Sequence, residues 1–456
     1  MRRPVATVEQ SYSYLAPSSL AAEDGRSRLS LSTSGGREEH PCFFSGFLGE
    51  ARQTAQSLLV VAEVARTRYY EPPAMVRARL DAADPVVTSS LDRLRFESFS
   101  ACAGVYARVD VEPSLLDGVF AAWGTTNVDF NPPMRAALAG VRQADAMLLD
   151  VGHDEVAVTT LAGTTVERKV PLPARWLKGF AEVQVASSTM VLQHELSAVE
   201  GRRFLRSLPR TRSRALAWAA PAGSGLRLSS TPTGGVCLAG AERLRLLEKL
   251  MPFARGLRAY GPPAGAEKTA LPSAWELVLE GARLVFVLSP ETARGFSGEG
   301  GVLSHLARAE DEIVDDVADL LHGDPEIDPE VLASALSVER SRIQHALGVL
   351  GAAGRVGFDL STSAFFHREL PYDRVALEKM HPRLLGAQQL VDEGAVSLAA
   401  DGSTATVRSG DADYEVHFGE SGVRCTCPWY AKHRGERGPC KHVLAAEHAR
   451  RLARAG

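Results

Sequence analysis

Near its C-terminal end the chain reads Val423-Arg-Cys-Thr-Cys-Pro-Trp-Tyr-Ala-Lys-His-Arg-Gly-Glu-Arg-Gly-Pro-Cys-Lys-His442, which places three of its six cysteines and a histidine within eighteen residues. The other cysteines, Cys42, Cys102 and Cys237, stand singly. Cys425 and Cys427 are one residue apart, as are Cys440 and His442, and twelve residues separate the pairs. Side chains at i and i+2 of an extended segment leave the same face with Cα atoms about 6.6 Å apart. Two thiolates on one tetrahedral ion lie about 3.8 Å apart, so each pair can converge on a single ion. Gly438-Pro439 predicts a helix start just before the second pair, where the backbone dipole favours a thiolate. Three sulfurs and one imidazole make a closed set of four, the composition of a structural zinc site. Cys425, Cys427, Cys440 and His442 are therefore the expected ligands of one structural Zn²⁺. His433 and His448 lack the i, i+2 relation to Cys440, and Trp429 and Tyr430 read as packing around the ion.

A metal reading of clustered cysteines suits a reducing compartment. Met1-Arg-Arg-Pro is followed by no apolar run, which argues against a secretory signal. The most apolar run, Leu58 to Ala65, is interrupted by Glu63 and falls far short of the ~20 residues that span a bilayer. A cytoplasmic location is expected. The formal net charge of -4 excludes a chain-wide nucleic-acid footprint, so any basic contact surface must be local. Such a surface exists around the cluster: Arg424, Lys432, Arg434, Arg437, Lys441, Arg450, Arg451 and Arg454 face only Glu436 and Glu447 across residues 421–456. Zinc with three thiolates and a neutral histidine adds about -1, leaving roughly +5 on the segment. Arg424, Lys432, Arg434, Arg437 and Lys441 are the candidate contacts to nucleic-acid phosphates or an acidic protein partner.

Cys-x-Cys, a spacer and Cys-x-His, on strands followed by a helix, resembles the SWIM-type zinc finger, and all four ligand positions match its pattern. The finger covers only the last 35–60 residues. More loosely, the chain is similar to bacterial SWIM-finger proteins that stand alone, without fused helicase or transposase modules. The resemblance implies zinc binding and a role in DNA or protein contacts, and it implies no catalytic activity.

The remaining sequence predicts a multidomain α+β protein. Residues 1–40, rich in Ser, Gly and charge, predict a mobile leader, and 41–305 an α/β region. Within it, strands, a helix and a three-stranded meander recur in the same order, with Gly179-Phe180 and Gly295-Phe296 after the two meanders. This order suggests one α/β unit duplicated over residues 90–210 and 211–305. Across residues 306–377, helix patterns at 312–321, 329–336 and 339–350 precede a hairpin, an order that resembles a winged helix. The acidic first helix, with Asp311, Glu312, Asp315, Asp316 and Asp319, favours packing or protein contact for this module over DNA binding. His367-Arg368-Glu369 reads as a surface charge cluster. Residues 380–456 form the finger domain: a helix from about Pro382 and strands at 395–399, 404–408 and 413–418 lead into a ββα zinc finger.

Catalytic signatures are missing. No Gly-x4-Gly-Lys-Ser/Thr loop occurs, Ala198 stands where a second metalloprotease histidine would follow His194-Glu195, and no Gly-x-Ser-x-Gly elbow is present. The expected protein is non-enzymatic. The alternative, an enzyme in the N-terminal α/β region with the finger as a recruiting module, requires a pocket that gathers Asn127, Asp129, Arg294 and Glu299.

Overall fold

The computed structural model describes residues 42–69, 85–170, 172, 174–213, 215–263, 270–296, 301–308, 311–370, 381–419, 422–435 and 437–455, and only the backbone of four short strands before residue 42. The expected leader lies largely outside the described residues; within it Ser19–Glu23 pairs antiparallel with Arg26–Ser30, and Ser13–Tyr14 with Ser34–Gly35.

The centre of the fold is an eight-stranded antiparallel sheet. Its order is Gly124–Asn127, Val86–Ser89, Leu94–Phe99, Val105–Val111, Ala282–Leu288, Ser273–Val278, Gly256–Gly261 and Val191–Ser197. The two middle strands pair from Ala282 opposite Val111 to Leu288 opposite Val105, and every residue in both is buried. One face follows from the alternation Val105, Ala107, Val109, Val111, which packs with Phe96, Leu284 and Phe286 beneath the helix Ala51–Arg66. Eleven residues of that helix are buried, among them Leu58, Val61 and Val64 on its sheet-facing side.

The two predicted meanders occupy different places. Leu148–Gly152, Glu155–Thr160 and Gly163–Arg168 join Cys42–Leu48 and Leu116–Phe120 in a separate five-stranded sheet, whereas Gly256–Gly261, Ser273–Val278 and Ala282–Leu288 belong to the central sheet. The two proposed halves thus contribute strands to one shared sheet. The two Gly-Phe pairs nevertheless converge: the rings of Phe180 and Phe296 lie 5.0 Å and 6.4 Å from that of Phe99. Gly295 is required for this approach, because a Cβ there would sit 2.2 Å from the Cys102 carbonyl oxygen.

The other face of the central sheet carries charge at alternate positions, Arg95, Glu97, Arg108, Asp110, Glu276 and Arg283, all buried. The cover comes from residues 311–370. There the helices Asp311–Asp319, Pro329–Leu336 and Arg340–Ala352 precede the hairpin Val356–Asp359 and Ala364–His367, and Ile313, Val317, Ile343, Leu347, Leu350 and Phe365 share one core. Asp328 caps the second helix by accepting from the Glu330 amide, with Pro329 in the first turn, as the sequence pattern requires. The hairpin sets Asp359 among the sheet arginines, 3.1 Å from Arg108 Nη2 and 3.1 Å from Arg283 Nη2. Arg368 Nη1 donates to Glu97 Oε1 at 2.6 Å, and the Arg95 guanidinium lies 4.0 Å over the Phe366 ring. His367 and Arg368 are each 2% exposed, so they belong to a buried interface and the surface-cluster expectation for them is corrected. Arg368 finds its carboxylate on a strand far away in sequence, and His367 Nδ1 accepts from the Gly323 amide at 2.8 Å.

At the C-terminal end, the helix Pro382–Asp392 leads into a four-stranded antiparallel sheet, Val396–Leu398, Thr404–Ser409, Ala412–Gly419 and Gly422–Cys425, in chain order. The apolar face, with Ala405, Val407 and Val416, packs against Val443, Leu444 and Ala446 of the helix Lys441–Ala455. The helix Pro382–Asp392 and the strands Val396–Leu398 and Thr404–Ser409, at the places the sequence pattern gives them, build the core of the finger domain together with the ββα unit. No helix among the described residues is long and apolar enough to cross a membrane.

Candidate metal centre

Each ligand candidate is placed by an ordinary piece of local structure. Cys425 ends the edge strand opposite Val416, and its side chain turns inward with the apolar face. Cys427 is the N-cap of the short helix Pro428–His433, and its Sγ accepts from the Tyr430 amide at 3.3 Å. Arg434 ends that helix in the left-handed region at φ 46°, and Gly435 and Gly438, at φ 86° and 76°, turn the chain back. Cys440 directly precedes Lys441–Ala455, and its Sγ accepts from the Val443 amide at 3.4 Å. Two of the three sulfurs thus sit at helix N-termini, where backbone amides favour thiolate. His442, in the first turn, stacks on Tyr414 with ring centroids 4.4 Å apart.

The four side chains meet. One donor atom from each of Cys425, Cys427, Cys440 and His442 lies within 4.8 Å of the others, and Cys425 Sγ is 3.9 Å from His442 Nδ1. A sulfur and a nitrogen on one tetrahedral zinc stand about 3.6 Å apart. All four residues are buried, and His442 Nε2 has no hydrogen-bond partner among the described residues.

The electrostatics of the cluster show why it fits a cation. The hydrogen bond from Cys440 holds the Cys425 thiol below its ordinary range, and the reciprocal contact with Cys425, with burial added, pushes Cys440 up to about 12. Burial raises Cys427 as well. One sulfur gains thiolate character only at the expense of its neighbours. A divalent cation removes the conflict, since it stabilises three thiolates together. The donor set suits one structural Zn²⁺ with no open coordination position.

Sequence reasoning missed Arg383. From the helix Pro382–Asp392 its Nη1 donates to the carbonyls of Arg437 and Pro439, at 2.9 Å and 2.8 Å, and its guanidinium lies 4.6 Å over the Trp429 ring. It ties down the loop between the two ligand pairs. Nothing in its local sequence marks it, since what it holds in the loop is a ring and two backbone carbonyls. Tyr430 Oη donates to the Val423 carbonyl at 2.8 Å and closes the other side of the site.

The five candidate contact residues divide by exposure. Arg424, Lys432 and Arg434 are exposed, whereas Arg437 and Lys441 are half-buried, the latter with its stem against Gly386. Of the residues required for a catalytic pocket, Asn127 is buried in the strand at one edge of the central sheet and its amide donates to the Val170 carbonyl. Arg294 follows the strand Ala282–Leu288, and three strands lie between the two. Glu299 lies outside the described residues.

Comparison with known proteins agrees with this geometry at the C-terminal end. Residues 412–451 match the family model described as SWIM zinc finger. No curated protein matches the chain. Among solved structures, proliferating cellular nuclear antigen from Entamoeba histolytica is 12% identical, with 55% of this chain and 99% of that one covered at a TM-score of 0.35. The PCNA2-PCNA3 complex from Sulfolobus tokodaii is 9% identical, covering 54% and 99% at 0.40. A structure of the C-terminal region of FEN-1 bound to A. fulgidus PCNA is 11% identical, covering 54% and 97% at 0.35. At these scores no functional assignment rests on the three structures. The protein carries a SWIM zinc finger at residues 412–451, with Cys425, Cys427, Cys440 and His442 as a Cys3His site for one structural zinc ion.

Proposed function

We propose that the finger is the contact module of a non-enzymatic, cytoplasmic protein. Zinc holds the loop between the ligand pairs in one conformation, and Arg424, Lys432 and Arg434 on its outer surface meet nucleic-acid phosphates. The observation that carries this reading is the placement of these exposed cations around a buried four-donor site, on a segment with eight basic and two acidic residues. Side chains on a rigid base lose less freedom when they engage phosphate, and each contact releases counterions. The module at 311–370 has the helix order of a winged helix, but its hairpin is committed to the central sheet, which supports a structural role for it. The separation of Asn127 from Arg294 supports the non-enzymatic reading.

The test is a salt titration of DNA binding by the zinc-loaded full chain, followed by fluorescence anisotropy. Binding should fall steeply with salt, and Lys432→Ala with Arg434→Ala should lower the slope of log K against log salt by roughly two. Absence of binding at low salt would refute the nucleic-acid reading and leave an acidic protein partner for the same surface.

A further inference from the structure

On the opposite side of the central sheet from the 311–370 module, the helix Ala51–Arg66 lies between the helix Pro132–Gly140 and the 3-10 helix Ala241–Leu250. The three enclose a groove of about 330 Å³, remote in sequence from the finger. Its floor includes Leu59 and Val60, and its walls carry Glu63, Arg66, Arg135 and Lys249. Such a volume falls at the lower end of the range for small-molecule sites.

The charges in this groove do not cancel. Glu63 is occupied by an ion pair with Lys249. Arg135 donates to the Phe130 carbonyl through Nη1 at 2.9 Å and forms no ion pair with a described residue. Arg66, exposed in the last turn of its helix, has no hydrogen bond or ion pair with a described residue. It is not needed to close that helix: the Thr67 hydroxyl donates to the Glu63 carbonyl at 2.8 Å, and the Thr67 amide to the Val64 carbonyl at 3.0 Å. Two guanidiniums that form no ion pair with a described residue therefore stand at an apolar-floored groove, Arg135 with the Glu167 carboxylate within reach of its charge. Guanidinium forks match the geometry of phosphate oxygens, and a phosphate monoester at neutral pH carries close to the two negative charges that would balance them.

We propose that this groove binds a small phosphate monoester, with its anionic head between Arg66 and Arg135 and its apolar body on Leu59 and Val60. The site is independent of the zinc finger and adds a small-molecule ligand to a macromolecular contact role. The phosphate supplies affinity and the apolar floor discriminates against inorganic phosphate, which has nothing to place there.

The experiment is a calorimetric titration of the zinc-loaded full chain with phenyl phosphate at pH 7.5 and constant ionic strength. One saturable site is expected, with inorganic phosphate binding more weakly. Arg66→Gln with Arg135→Gln should weaken phenyl phosphate by about tenfold or more. Both changes fall on side chains that solvent reaches, and an unchanged melting temperature without ligand confirms the fold; Arg66→Gln alone, on the exposed helix end, should still give a several-fold loss. The finger variant Lys432→Ala with Arg434→Ala should bind phenyl phosphate as the parent does. No saturable binding by the parent, equal binding by the groove variants, or loss in the finger variant would each overturn the assignment.

Discussion

Asp359→Asn is the sharpest perturbation of the buried interface between the central sheet and the 311–370 module. The carboxylate lies 3.1 Å from Arg108 Nη2, 3.1 Å from Arg283 Nη2 and 4.0 Å from Arg95 Nη2, and Oδ1 accepts from the Ser361 amide at 3.0 Å. Asn keeps the volume, so no cavity term enters, but it leaves three buried guanidiniums with Asp110 as their remaining fully buried carboxylate in the cluster. Breaking a buried ion pair from one side costs about 3–5 kcal/mol, a large share of a typical folding free energy. The lower figure corresponds to faster opening of the docked hairpin by on the order of a hundredfold. Hydrogen exchange reads this directly: amides of Val356–Asp359 and Ala364–His367 should lose protection, while those of Leu148–Gly152 in the five-stranded sheet keep theirs. The three arginines hold the Asp359 carboxyl far below the ordinary carboxylate range, although burial alone would raise it. A depressed folded value stabilises the protein above the unfolded value near 3.9, and that contribution fades as pH falls towards the folded value. The parent should therefore lose hairpin protection on acidification below about pH 4, with a slope that the Asn variant lacks. Equal exchange in the two proteins at neutral pH, or an identical acid slope, would refute the keystone role of Asp359.

The remaining predictions concern the finger. Cys427→Ser should abolish stoichiometric zinc, measured by metal analysis of the purified chain, and should loosen residues 412–451 while the central sheet keeps its protection, because metal binding and folding of such modules are coupled. Retention of one zinc per chain would refute the ligand set. Arg383→Ala leaves all four donors in place but frees the loop carbonyls of Arg437 and Pro439, and zinc affinity in chelator competition should fall by about 10- to 100-fold. An unchanged affinity would show that the loop needs no tether.

How much could be read in advance depended on the range of the interaction. The four zinc donors were legible because the decisive geometry is local: i, i+2 spacing on a strand end and across a helix start brings each pair together whatever the rest of the chain does. The helix Pro329–Leu336, with Asp328 and Pro329 at its start, and the hairpin after it were legible for the same reason. The run Leu94-Arg-Phe-Glu-Ser-Phe99 alternates apolar and polar residues, the pattern of a strand with one wet face. Only the tertiary structure decided that this face would be dry, because Arg95 and Glu97 are covered by residues more than two hundred positions later. The same holds for Val105–Val111 and Ala282–Leu288. Either strand can pair with many partners on pattern alone, and their pairing unites two halves that their element order suggested were separate repeats. Arg383 belongs to this second class: a guanidinium on a polar helix acquires its meaning only when Trp429 and the loop carbonyls arrive beside it. Local spacing determined the chemistry of the metal site by itself. Which strands and charges would meet was a matter of long-range packing, where the free energy lies in contacts that no short window of sequence contains.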